Sequence, residues 1–135
     1  MSLQLSTTVR NAELDAIETA IGTSAVLKIK TGSAPANCAA ADSGTVLATL
    51  SLPSDWMAAA ASGAKAKSGT WEDASADATG TAAHFRLYAS DGTTCHGQGT
   101  VTATGGGGDL TLDSVSVVSG NDIVITGFTL TAGNA

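Results

Sequence analysis

Along most of this chain the larger apolar residues recur at every second position, in short runs that stop at Gly, Pro, Asn or Asp. A period of two is the repeat of an extended strand, whose successive side chains point to opposite faces. Over 25–31, Leu27 and Ile29 share one side and Lys28 and Lys30 the other. Over 44–52, Val46, Ala48, Leu50 and Leu52 alternate with Thr45, Thr49 and Ser51, and Leu47 is out of phase. Over 84–89, Phe85 and Leu87 are expected inward and His84, Arg86 and Tyr88 outward, and Asp91-Gly92 supplies a hairpin-type turn into a strand over 95–103. Leu110 with Leu112, Val115 with Val117, Ile123 with Ile125, and Phe128 with Leu130 continue the pattern. Breaks fall near Asp113 and at Ser119-Gly120-Asn121. Six to eight short strands with turn signals between them predict an antiparallel β-sandwich or jelly roll.

One stretch departs from that period. Val9, Ala12, Leu14, Ala16, Ile17, Ala20 and Ile21 are spaced for a helix over 6–21, with Ser6 or Thr7 as N-cap and Gly22 in the left-handed position past its end. The expectation is therefore a single, mainly β domain over 1–135, with one N-terminal α-helix and a sandwich over 25–131. Arg10 and Glu13 fall inside the helix's apolar arc. They are read either as an i, i+3 pair over the edge of the core or as part of a face turned to another chain.

Leu, Ile, Val and Phe make only 26 of 135 residues, near the level at which a highly charged chain stays disordered. A net charge of −6 and a mean hydropathy of +0.19 leave this chain free to collapse. Its core is expected to be thin, which makes oligomerisation an expectation as well. The first ten residues carry no basic region followed by an apolar stretch, and no window reaches transmembrane length, so synthesis in the cytoplasm without membrane insertion is expected.

Three segments interrupt the alternation. Residues 32–43, with Pro35, read as a long loop or arm. Residues 53–68 open with Trp56 and Met57 and pass through an alanine run; they read chiefly as an excursion from the sheet, with room for a short helix after Ser54. The four glycines at 105–108 read as a mobile hairpin tip, because no lysine and no following helix make them a phosphate cradle.

Ala, Gly, Thr and Ser account for 74 of 135 residues and charged residues for 13%, which leaves little material for a reaction centre. Asp73, Ser75 and Asp77 alternate like the first ligands of a calcium loop, but Ala78 and His84 stand where that loop needs Gly and a bidentate Glu. His84, Cys95, His96 and Cys38 lack the paired spacing of a zinc site. Cys38 and Cys95 could make one disulfide, but without a secretory signal two free thiols are the expectation. Six scattered basic residues against twelve carboxylates argue against a nucleic-acid footprint. No catalytic, metal or cofactor-binding residue is assigned, and no enzymatic activity is expected. Tryptophan is enriched at interface anchors. Trp56, Met57 and Trp71 are thus the first candidates for contact with a partner, joined by Arg10, Glu13 and Pro35.

Three segments also carry a resemblance. Residues 9–17 (VRNAELDAI), 27–37 (LKIKTGSAPAN) and 80–101 (GTAAHFRLYASDGTTCHGQGTV) resemble those of small virion proteins of tailed bacteriophages. That family includes capsid cement or decoration proteins, often jelly rolls, which sit as dimers or trimers over junctions between major-capsid subunits. The resemblance implies a place in the virion, no cofactor, and two partners: further copies of the chain and the major capsid protein. A tail, fibre or baseplate component that binds a host surface is the alternative it leaves open, with an exposed tip at 91–94 or 105–108 carrying recognition.

Overall fold

The computed structural model describes residues 3–133. Helix α1 (Thr7–Ile21) begins where the Ser6 hydroxyl accepts a hydrogen bond from the Val9 amide at 3.3 Å. It ends at Gly22, whose φ of +94° suits glycine and whose amide donates to the Glu18 carbonyl. Ten strands follow: β1 (Val26–Lys30), β2 (Val46–Ser51), β3 (Ala64–Ala66), β4 (Glu72–Asp73), β5 (Gly80–Thr81), β6 (His84–Tyr88), β7 (Cys95–Ala103), β8 (Leu110–Leu112), β9 (Ser116–Val117) and β10 (Ile123–Thr131). Eight of them form one curled sheet in the order β2-β1-β6-β7-β8-β10-β3, with β4 also on β10, while β5 and β9 make a second small sheet. The architecture is the mainly β, sandwich-like one that the alternation predicts, with its single N-terminal helix.

Pairing follows the sequence pattern closely at the centre of the sheet. Leu27 and Ile29 of β1 face Leu50 and Ala48 of β2 on one side and Leu87 and Phe85 of β6 on the other. All six are buried. The Asp91-Gly92 turn forms as expected, because the Asp91 carboxylate accepts from the amides of Thr93 and Thr94 while the Ala89 amide closes on the Thr94 carbonyl. Ile123–Thr131 is one strand instead of two runs, its register against β8 shifting between Ile125 and Gly127.

Two loop expectations are corrected. The 105–108 glycines are not a hairpin tip, since β7 and β8 run parallel, with Val101 opposite Leu110 and Ala103 opposite Leu112. So short a parallel connection forces the chain to double back along the flank of β7. The Gly108 amide donates to the Thr102 hydroxyl at 3.0 Å, and a Cβ at Gly108 would lie 2.9 Å from the Thr102 backbone nitrogen. Residues 53–68 contain no helix and are not simply an excursion. They turn back on themselves, with the Ala58 amide on the Ala66 carbonyl at 2.9 Å, and their far arm is β3, paired with Thr129–Thr131 of β10.

The core is threaded by aromatic rings. Trp56 lies 6.0 Å from Trp71, Trp71 lies 5.4 Å from Phe128, and Phe128 meets Phe85 edge-on at 5.6 Å. Trp56 and Trp71 are 0% exposed and Met57 is buried beside them, so these three nominated contact residues fill the core and present no surface to a partner. The reason lies in their polar handles. Trp56 Nε1 donates to the Gly22 carbonyl at 2.9 Å, and Trp71 Nε1 reaches the carbonyls of Trp56 and Ser68, both at 3.1 Å. Each indole thus enters the core without losing a hydrogen bond, and Trp56 also anchors the end of α1 there.

Candidate functional site

On its outer face the sheet brings together Lys30 from β1, His84, Arg86 and Tyr88 from β6, and Gln98 from β7, through the register that pairs Lys30 with His84 and Arg86 with Gln98. The alternation assigns this face to solvent. Instead Lys30 and Arg86 are each 2% exposed, and His84 and Tyr88 are buried with them. The cause is the arm at 32–43, which folds back over the chain's own sheet. Pro35 lies on it, and its carbonyl accepts from Gln98 Nε2, so Pro35 belongs to this internal contact.

Asp42 closes the arm. Its carboxylate receives Lys30 Nζ at 2.9 Å, Arg86 Nη1, and the Tyr88 hydroxyl at 2.8 and 2.9 Å from its two oxygens. Every nitrogen of Arg86 is engaged: besides Nη1 on Asp42, Nε donates to Gln98 Oε1 at 3.1 Å, and Nη2 to the carbonyls of Asn37 at 2.8 Å and Ala40 at 3.0 Å. Partial burial opposes ionisation of Asp42, but the hydrogen bonds from Lys30, Tyr88 and Arg86 outweigh it and hold the carboxyl well below the usual carboxylate range. Burial, and then the Asp42 charge, push Tyr88 far above an ordinary phenol. These groups are fixed in one protonation state near neutrality, which suits a clamp and not proton transfer.

Cys38 sits in the arm between the two carbonyls that Arg86 holds, and Cys95 stands opposite Tyr88 at the start of β7. Both are half-buried free thiols; the Cys95 thiol donates to the Gly97 carbonyl at 3.4 Å, and Cys38 lies near enough to influence its ionisation. Burial and the neighbouring Cys38 push the Cys95 thiol up to about 11. His84 turns away from them, with Nδ1 2.7 Å from the Gly32 carbonyl, and His96 is exposed. The four residues considered for zinc therefore divide, and among the described residues no three His, Cys, Asp or Glu side chains converge as metal ligands.

A third buried cation ties helix to sheet. Lys65 of β3 is 2% exposed, and its ammonium meets Asp15 at 2.7 Å, Glu18 at 2.8 Å and the Ala58 carbonyl at 2.9 Å. Burial works against the charge, but the two carboxylates prevail and raise the Lys65 pKa. A cleft of about 620 Å³ opens beside this cluster, between α1 and the segment carrying Ser54, Asp55 and Ala59. All three ammonium protons are already placed, so Lys65 offers the cleft no free donor.

The acidic alternation at 73–77 has an internal use as well. Asp73 accepts from the Ser75 and Thr49 amides, and Asp77 accepts from the Thr49 hydroxyl. With the Asp77 amide on the Leu47 carbonyl at 2.8 Å, they seal the open edge of β2. Arg10 and Glu13 do not pair. Arg10 reaches the Ala132 carbonyl at 3.2 Å and the Thr7 hydroxyl at 3.3 Å, while Glu13 is exposed.

Only Leu14 and Ile21 of α1 are buried. Val9 and Ile17 are 44% and 38% exposed, and Ala12, Ala16 and Ala20 lie exposed on the same side of the helix as Glu13. Among the described residues no helix is long and apolar enough to cross a membrane. Compared with family models, with curated proteins and with solved structures, the chain matches none.

Proposed function

We propose that this chain is a structural protein of a tailed-phage virion, a capsid cement or decoration protein that stabilises the head by bridging major-capsid subunits. One observation carries the reading beyond the resemblance: the outer face of α1, where Val9, Ala12, Ala16, Ile17 and Ala20 are left exposed on an element whose other side is fixed by Lys65. Small apolar side chains on a rigid helix let a neighbouring backbone approach closely, and modest contacts of this kind add up when repeated across a lattice. The buried charges support a binding role over a catalytic one. Lys30, Arg86 and Lys65 are all consumed in clamps that hold the arm and the helix in place.

The test is addition of the purified protein to undecorated capsids of the phage that encodes it. Binding at a fixed copy number per capsid, together with a raised shell melting temperature, is the expected result. Ala16→Glu should abolish binding while leaving the circular dichroism of the free protein unchanged. Localisation confined to the tail would overturn the reading in favour of a tail or baseplate component.

A further inference from the structure

We propose that Cys38 and Cys95 form a reversible disulfide that locks the arm at 32–43 onto the sheet. Three independent contacts bring the thiols together. Asn37 Oδ1 accepts from the Ala39 and Ala40 amides, both at 3.0 Å, which fixes the turn that carries Cys38. Arg86 Nη2 grips the carbonyls on either side of that cysteine, at Asn37 and Ala40. Cys95 is the cross-strand partner of Tyr88, two residues from Arg86 on the same face, which sets it beside the turn that Arg86 holds. Both cysteines are only half-buried. A small oxidant can therefore reach them without unfolding the chain.

With oxidised glutathione as oxidant the chemistry balances. The Cys38 thiolate attacks one sulfur of glutathione disulfide and expels a glutathione thiolate, giving a mixed disulfide. Cys95 then loses its proton to solvent and attacks the Cys38 sulfur, expelling the second glutathione. Two protein thiols are oxidised and one glutathione disulfide is reduced to two thiols. Cys95, which burial keeps protonated near neutrality, follows as the resolving thiol. Closure joins the arm to a central strand distant in sequence, a cross-link of the kind that most restricts the unfolded chain. On the virion reading the bond would close after release from a reducing cytoplasm, but the staple itself does not depend on that reading.

The experiment is oxidation of the full-length native protein, purified reduced, with oxidised glutathione at pH 8, followed by intact mass and thermal melting. The expected product is a monomer lacking two hydrogens, with no retained glutathione and a melting temperature raised by about 10 °C. Hydrogen exchange at residues 37–42 should slow in that product and recover on reduction. Cys95→Ser should stop at the Cys38 mixed disulfide. A wild-type product that keeps glutathione, links two chains, or closes only in denaturant would overturn the proposal.

Discussion

Lys30 Nζ stands 2.9 Å from Oδ2 of Asp42, joining a buried strand lysine to the far end of the arm at 32–43. The same carboxylate faces Arg86, so one acidic side chain neutralises two cations that are each 2% exposed. Burying a charge without a partner is costly, and Lys30 and Arg86 tolerate their place under the arm because Asp42 arrives with it.

Asp42→Asn keeps the shape and removes the charge. Taking one partner from a fully buried pair costs about 3–5 kcal/mol, but the Asp42 side chain is 44% exposed, so a loss of about 2 kcal/mol is expected. Urea unfolding checks the magnitude. Faster hydrogen exchange confined to residues 32–43 would show that the arm lifts before the sheet melts.

The clamp also predicts an acid limb. Asp42 titrates lower in the folded chain than in the unfolded one, so its stabilisation is complete above the ordinary carboxylate value of about 4 and is lost as pH falls below it. Melting temperature measured between pH 6 and pH 2 should therefore fall less steeply for Asp42→Asn than for the parent chain. Equal slopes would mean that Asp42 does not carry the acid sensitivity.

Tyr88 supplies the opposite limb. Burial and the Asp42 charge raise its folded pKa, so its stabilisation is complete below the ordinary phenol value of about 10 and is lost as pH rises beyond it. Tyr88→Phe should flatten the alkaline limb between pH 9 and pH 11. At pH 7 it should cost about 1 kcal/mol, for the hydrogen bonds to Asp42 that disappear with the hydroxyl.

Much of the sheet is legible in sequence because its strands obey one rule, one apolar face and one polar, and the helix because Ser6 and Gly22 mark its ends. What covers the polar face is not. The alternation places Arg86 and Tyr88 opposite Leu87 correctly, yet it cannot register that residues 32–43 return over them, since that depends on Asp42 meeting charges far away in the chain. One signal was present: Asp42 is the sole charged residue in an arm of small side chains. β3 escapes for a different reason. Ala64, Lys65 and Ala66 give no apolar alternation, and the strand exists because β10 offers it an edge and α1 offers Lys65 two carboxylates.

Trp56 provides the sharpest test of core against contact surface. It is 0% exposed, meets Trp71 ring to ring at 6.0 Å and a 50° tilt, and donates to the Gly22 carbonyl at 2.9 Å, so alanine there opens a cavity and strands a helix-end acceptor together. The expected cost is about 3–5 kcal/mol, a large part of the roughly 5–15 kcal/mol that holds a domain together. Trp56→Phe keeps most of the volume but not the donor, and should cost less, about 2 kcal/mol. Chemical denaturation of both variants orders them. Tryptophan emission from the native parent should be blue-shifted, moving red only on unfolding. An unfolding midpoint for Trp56→Ala equal to that of the parent would return Trp56 to the surface and with it the contact role that its residue type suggests.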